Sequence, residues 1–259
     1  MKNSLKEKLA CGKSCLGIFI AVGSTETIEI AGITNYDFVV LDMEHGHVDT
    51  KGLLPMLIAA ERRNITAIVR IPEINSSTIV NILDLGAAGI QVPQVGTADD
   101  AGKAVSGSKY YPEGTRGMGS PRAGDYGAAD LKDYIREANK NTIVAVQCES
   151  REGYENIEEI AGVPGIDVIF LGPYDMSQSL GIPGDIHSPE IDEIREKILA
   201  VCKKYGKIPG TFAADGKEAK KLKEMGFRYI TMGMDVDHIY SKFNEEIRAF
   251  SDTDSLSEY

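Results

Sequence analysis

The sequence predicts an α/β fold, a (β/α)8 TIM barrel in a single domain over 1–259, and three observations carry that expectation. Short apolar, β-branched runs alternate with helical patterns, the signature of parallel strands joined by crossover helices. There are eight such runs, and a length of 259 residues suits one closed barrel. A doubly wound sheet would announce itself with a Gly-rich first turn, whereas here that turn is Ala21-Val22-Gly23-Ser24-Thr25-Glu26, with one glycine.

The elements follow in order. The basic segment through Lys13 and the apolar stretch Leu16–Val22 superficially resemble a secretory leader. The stretch is too short, however, and no small-x-small cleavage pattern follows, so Leu16–Ala21 is read as the first strand and the protein as cytoplasmic. Phe38–Asp42 is the second strand, and Asp49 or Thr50 can cap a helix that runs through Arg63. Thr66–Arg70 and Gly89–Val92 follow, separated by a helix that stops at Leu85-Gly86. A helix over Thr97–Ser106 leads into a long segment, 107–141, before the fifth strand, Ile143–Gln147. Val168–Leu171 is the sixth strand. Ile191, Ile194, Ile198, Val201, Cys202 and Tyr205 then recur on one face of a helix that ends at Gly206. Ile208–Phe212, a helix ending at Met225-Gly226 and Tyr229–Met232 complete the set, and the polar tail 251–259 is expected to fray. The strands read as nearly continuous apolar runs, as strands buried on both faces should.

Composition narrows the function. A formal net charge of −11 without a basic cluster argues against nucleic-acid binding and otherwise reports solubility. No apolar run is long enough for a membrane span near the start of the chain. Four cysteines make no disulfide framework, and the Cys11-x3-Cys15 spacing lacks a second pair that would support zinc. Segment 107–141 holds Arg116 and Arg122 among glycines. Such a composition suits an anion-handling lid at the barrel top and equally a solvated insertion.

Barrel chemistry gathers at the C-terminal ends of strands. On strand five the period of two places Ala145, Gln147 and Glu149 on one face, and two polar groups there are costly unless they serve a purpose. Glu149 and Asp175 are carboxylates from neighbouring strand ends, an oxygen-rich pair suited to Mg²⁺ or Mn²⁺. Arg70 closes a buried strand and can grip a carboxylate or balance an oxyanion, although an ion pair across the barrel mouth would explain it too. His45 follows Asp42 and is a residue type that can act as an acid or base, whereas a plain solvent-exposed loop histidine is the simpler reading. No strand-end lysine is available for imine chemistry. Neither a G-x-S-x-G elbow nor a G-x-x-x-x-G-K-[ST] loop is present.

The run Asp37-Phe38-Val39-Val40-Leu41-Asp42-Met43-Glu44-His45-Gly46 resembles the signature of the HpcH/HpaI aldolase family. So do Val69-Arg70-Ile71-Pro72, Leu83-Asp84-Leu85-Gly86-Ala87, Gly89-Ile90-Gln91-Val92-Pro93, Tyr111-Pro112-Glu113-Gly114-Thr115-Arg116-Gly117-Met118-Gly119, Gln147-Cys148-Glu149-Ser150 and Gly172-Pro173-Tyr174-Asp175-Met176-Ser177. The likeness spans roughly residues 14 to 245 in order. It implies a phosphoenolpyruvate/pyruvate-domain-like barrel that is a class II aldolase, cleaving 4-hydroxy-2-oxo acids to pyruvate and an aldehyde. It further implies that Glu149 and Asp175 hold Mg²⁺, Mn²⁺ or Co²⁺ and that Gln147 contacts the 2-oxo acid. Arg70 would stabilise the enolate oxygen, and His45 would move a proton, held by Asp84 and Asp42. The Tyr174 amide, beside Gly172, would bind the substrate carboxylate. A hexamer, a trimer of dimers that exchange the last helix, is implied as well. Tyr174 departs from the small residue usual there, and Glu73-Ile74 stands where many members carry a large aromatic. Both departures bear on the aldehyde. The rivals are a CoA-thioester carbon–carbon lyase of the citrate-lyase-β type and a barrel that binds a 2-oxo acid without turnover.

Overall fold

The computed structural model describes residues 3–250, and the expected tail 251–259 lies outside them. The strands are β1 (Cys15–Ile20), β2 (Phe38–Asp42), β3 (Thr66–Arg70), β4 (Gly89–Val92), β5 (Ile143–Cys148), β6 (Val168–Leu171), β7 (Ile208–Ala213) and β8 (Tyr229–Met234). All pair in parallel and in sequence order, and β8 returns to β1 to close the barrel. The predicted runs differ from these strands by at most two residues at an end.

Helix α1 (Ser4–Ala10) precedes the barrel. The crossovers carry α2 (Thr25–Ile33), α3 (Thr50–Arg63), α4 (Ser76–Leu85), α5 (Ala98–Ser108), α6 (Leu131–Asn141), α7 (Arg151–Glu155), α8 (Ile157–Gly162), α9 (Pro173–Leu180), α10 (Pro189–Tyr205) and α11 (Gly216–Met225), and α12 (Asp235–Phe250) ends the described chain. Asp49 caps α3 by accepting from the Gly52 amide, and Gly86, Gly206 and Gly226 end their helices in the left-handed region, as their positions predict.

Alternation along each strand divides two cores. Val39, Leu41, Val69, Ile90 and Val146 face the helices, whereas Phe38, Val40, Ile68, Ala145, Val168, Phe170 and Tyr229 fill the barrel interior. Phe38 stacks on Tyr229 at 4.3 Å between ring centres, and a Cβ on Gly17 would lie 2.3 Å from the Phe38 ring, so the interior has no room for a side chain there. The interior rows begin apolar and turn polar as they climb: Phe38, Val40, Asp42; Ile68, Arg70; Ala145, Gln147.

The N-terminal mouth is stoppered by α1, an element too short to show a period in the sequence. Leu5 and Leu9 are fully buried in the interior cluster. The Asn3 side chain caps the helix and donates to the carbonyls of Ala88 and Asn141.

Arg116 and Arg122 lie at this same N-terminal face and not at the barrel top. Helix α5 carries the chain back down before the extra residues begin, so they emerge at the bottom. Arg116 is buried, bonds Asp84 at 2.6 Å and lies over the Tyr110 ring. Arg122 grips Glu61 and the Leu85 carbonyl, at the ends of α3 and α4. The barrel-top lid reading is corrected, and the segment is solvated only in part, since it includes α6 and buries Arg116, Tyr134 and Ala138.

Replacing Leu5 or Leu9 by Ala is expected to lower unfolding free energy by about 2–5 kcal/mol each, since each leaves a cavity in the stoppered interior. Urea denaturation measures this, and a change under about 1 kcal/mol would show that α1 is not part of the core.

Candidate active site

Three interior rows end in charge at the C-terminal mouth. Asp42 and Arg70 are register partners on β2 and β3. The Arg70 guanidinium donates to both Asp42 oxygens, at 2.9 and 2.6 Å, and both residues are buried. Arg70 also lies over the Phe19 ring at 4.6 Å. Its third nitrogen, Nη1, is 3.3 Å from Glu44 Oε2.

Asp42 does more than pair. Its Oδ1 accepts the backbone N–H groups of Glu44 and His45, at 3.0 and 3.3 Å, which folds the turn after β2 back over the mouth. Gly46 permits that turn, because a Cβ there would sit 2.4 Å from the Asp42 carbonyl. Asp42 therefore positions His45 through the backbone and not through the ring.

Glu44 is a site residue that the strand-end reading passed over. It continues the row of Phe38, Val40 and Asp42 by two, the same period that singled out Glu149. Its side chain is 10% exposed and its Oε2 has no hydrogen-bond partner. Burial pushes its carboxyl up to about 7, against the pull of Arg70 and with the push of Asp42 and Asp175.

Glu149 behaves in the same way. Burial raises it to about 7, Asp175 and Glu44 repel it, and hydrogen bonds from the Gln94 amide and from Gln147 offset part of the shift. The Gln94 amide donates at 2.6 Å, and Gln147 Nε2 donates to the other oxygen. Behind it, Gln91 donates to Gln147 at 2.7 Å and the buried Tyr229 hydroxyl donates to Gln91 at 3.0 Å. Gln91 and Tyr229 thus orient the site from inside the barrel, roles that single strand ends do not reveal.

Gly172 lies against Glu149: a Cβ there would be 2.7 Å from Oε2. It is the N-cap of α9 and offers no side-chain cap. Pro173 has no N–H, so the amides of Tyr174 and Asp175 point out of the helix start without intrahelical partners, a ready anion site. Asp175, in this first turn, is exposed, and its charge reaches both Glu44 and Glu149. The Tyr174 ring is half exposed and packs edge-on against Phe212 at 5.7 Å.

His45 is 60% exposed at the mouth, and the carboxylate nearest its Nε2 is Glu44, at 3.9 Å. Asp84 is not beside it. Helix α4 runs opposite to the strands, so Asp84 in its last turn descends to the N-terminal face, where it pairs with Arg116. Within one chain the expected Asp84–His45 contact is not made.

The donor set suits a divalent cation. Among the described residues no three His, Cys, Asp or Glu side chains form a closed metal cluster. Glu149 with Asp175 instead gives an open, two-carboxylate set, the arrangement Mg²⁺ shares with substrate and water. Glu44 Oε2 makes no hydrogen bond although Arg70 lies 3.3 Å away, and burial raises the Glu149 carboxyl, so added positive charge would favour both carboxylates.

A parallel eight-stranded barrel with acids, one buried arginine and a helix N-terminus at its C-terminal mouth defines an α/β barrel protein with a polar site where barrel chemistry gathers. The sequence model of the HpcH/HpaI aldolase/citrate lyase family matches residues 15–241. The 5-keto-4-deoxy-D-glucarate aldolase of Klebsiella pneumoniae is 34% identical over 235 residues, covering 90% of this chain and 91% of that protein. The structure of an HpcH/HpaI aldolase/citrate lyase family protein from Burkholderia cenocepacia J2315 superposes with a TM-score of 0.91 at 32% identity, over 96% of this chain and 99% of that one. Citrate synthase SbnG superposes with a TM-score of 0.86 at 31% identity, over 95% and 96%. The chain belongs to the HpcH/HpaI aldolase/citrate lyase family and is an enzyme, a carbon–carbon lyase.

A carboxyl that titrates near 7 when folded and near 4.5 when unfolded holds its proton more tightly in the folded state. Its stabilising share is complete below about pH 4.5 and is lost as pH rises through 7. Glu149→Gln should therefore stabilise the metal-free protein by about 1–3 kcal/mol at pH 8 and change little at pH 4.5. Thermal unfolding in EDTA across that range measures the difference, and an equal effect at both pH values would refute the account.

Proposed function

We propose that this enzyme is a divalent-metal-dependent aldolase that splits a 4-hydroxy-2-oxo acid into pyruvate and an aldehyde. The observation that carries the reading is the mouth itself, where the charges of Arg70, Glu44, Asp175 and Glu149 act on one another and the start of α9 lies against Glu149. The curated relative acts on a six-carbon keto-deoxy diacid, and a substrate of that class would yield pyruvate and a three-carbon aldehyde acid.

Each residue has a task in that reaction. The Tyr174 and Asp175 amides bind the substrate carboxylate at the start of α9. Glu149 and Asp175 would hold Mg²⁺, Mn²⁺ or Co²⁺, which supplies a Lewis acid for the 2-oxo oxygen. Arg70, kept in place by Asp42 and Glu44, balances the negative charge that develops on the enolate oxygen. Gln147 lies next to Glu149 and contacts the 2-oxo acid from the barrel floor. His45, exposed at the rim, takes the 4-hydroxyl proton, and Glu44 is the carboxylate placed to share it. Any hold of Asp84 on a His45 ring would have to act between subunits. No observation favours the CoA-thioester or binding-only readings over this one.

The test is exchange of pyruvate methyl protons in D₂O, with and without EDTA. We expect metal-dependent exchange that is lost in Glu149→Gln. In Arg70→Lys, which keeps charge but not the two-pronged geometry, it should fall by about 10²–10³. Exchange that survives complete metal removal, or borohydride trapping of pyruvate on a lysine, would overturn the reading.

The oligomer belongs to the same proposal. Helix α12 is anchored by Asp235, whose carboxylate accepts the Ala21 and Val22 amides, and every later residue is at least partly exposed. Ile239, Tyr240, Phe243, Ile247 and Phe250 form an uncovered apolar stripe along it. A hexamer, a trimer of dimers that exchange α12, would cover this face. Phe243→Asp with Ile247→Asp should shift size-exclusion elution to a smaller species, and an unchanged profile would remove α12 from assembly.

A further inference from the structure

Few of the described residues other than glycine have a positive φ. Asn35 and Asn64 follow α2 and α3, where a left-handed residue ordinarily ends a helix, and Asp125 and Tyr126 lie in segment 107–141. Gln94, with a φ of +53°, is the one at the C-terminal mouth, just past the end of β4. The left-handed region is costly for an L residue, and Asn or Asp is the usual exception to glycine there. The Gln94 side chain gives no reason for that cost, since it is exposed and makes no hydrogen bond or ion pair among the described residues. Its backbone does: the Gln94 N–H donates to Glu149 Oε1 at 2.6 Å.

The turn is held from both sides. Pro93 before it is buried and has a fixed φ. Val95 after it is buried in the core beneath the helices. The chain is then fastened to the segment that follows β5. Asn156 Nδ2 donates to the Gly96 carbonyl at 2.8 Å, and a Cβ on Gly153 would lie 2.7 Å from the Val95 carbonyl. Backbone strain persists where the surroundings over-determine it, and it gathers at functional sites.

Each Glu149 oxygen has one donor: Oε1 has the Gln94 amide and Oε2 has Gln147. Gly172 closes a further side. An ionised carboxylate accepts on about four lone pairs, so each oxygen keeps one for a cation. The two donors differ in kind. Gln147 can turn about its own side-chain bonds, whereas a peptide N–H carried by a clamped turn cannot rotate away.

We propose that the left-handed turn at Gln94 is a positioning element, which fixes Glu149 Oε1 so that the carboxylate meets a divalent cation in one orientation. The inference rests on the metal reading above and deepens it. Gln94 touches neither cation nor substrate and acts through Glu149. Groups that hydrogen-bond a ligating carboxylate from behind set metal affinity by roughly 10–100-fold.

The experiment is calorimetric titration of Mn²⁺ into the full-length protein freed of metal and chelator. Gln94→Val puts a β-branched residue where φ is positive, so the backbone relaxes and the N–H leaves Glu149. Gln94→Asn changes the same exposed side chain but tolerates the left-handed region. We expect Mn²⁺ affinity to fall at least about tenfold in Gln94→Val and to stay within about twofold of wild type in Gln94→Asn. If Gln94→Val does not fold, Gln94→Ala replaces it, with an expected loss of at least about threefold. A lower thermal midpoint in the metal-free Val variant with unchanged Mn²⁺ affinity would make the turn merely structural and overturn the proposal. Equal losses in the Val and Asn variants would overturn it too, because the side chain and not φ would then be responsible. Either result leaves the metal reading standing, whereas no saturable Mn²⁺ binding to the wild-type protein would overturn that reading and this inference together.

Discussion

The site depends on an imbalance of buried charge. Arg70 is the only buried cation at the mouth that the described residues provide, and Asp42 holds it with both oxygens. Glu44 and Glu149 must then share what remains of its field, and Asp175 adds a further negative charge. The outcome is visible in two carboxyls raised to about 7 and in one carboxylate oxygen with no donor. A fold that concentrates acids in this way is less stable than one with apolar groups in their place. Positive charge brought from outside the chain would relieve the imbalance, because it favours the ionised form of both raised carboxyls.

The barrel supplies this imbalance without distorting its strands. The period of two delivers alternate residues to an interior that holds few side chains, and each row changes from apolar to polar within two positions. Because the N-terminal half is filled by Phe38, Phe170 and Tyr229 and stoppered by Leu5 and Leu9, water does not reach the polar half from below. Tyr229 joins the halves. Its ring packs in the core, and its hydroxyl starts the chain through Gln91 and Gln147 to Glu149. The orientation of the Glu149 carboxylate is thus set by residues on β8, β4 and β5 together.

The sequence revealed those features that a local period or cap encodes. The eight strands follow from their apolar runs, the helix ends from their glycines, Arg70 from closing a buried strand, and Gln147 and Glu149 from the period of two. Glu44 obeys the same alternation but lies past the last strand residue, where the pattern is not usually extended. Gln91 and Tyr229 are polar contributors whose roles appear only when non-adjacent strands are brought around a closed barrel. Glycine and arginine content left segment 107–141 open between a barrel-top lid and a solvated insertion, because composition says nothing about direction. Direction comes from counting crossovers, since residues after a helix that has already returned lie at the bottom. Helix α1 escaped notice because two leucines four apart are too few to define a face.

The two faces of the barrel therefore carry different physics. At the N-terminal face the acids have partners: Asp84 with Arg116, Glu61 with Arg122, and Lys6 with Asp167. There the polar groups close the barrel, and their charges cancel. At the C-terminal face the acids outnumber the cations, and charge cancels only with help from outside the chain. Asp84 shows why the distinction matters. Asp84 pairs with Arg116 at the opposite face from His45, whereas Glu44, raised by burial to about 7, lies 3.9 Å from the His45 ring. Within the chain, Glu44 is the carboxylate that the turn after β2 brings beside the His45 ring.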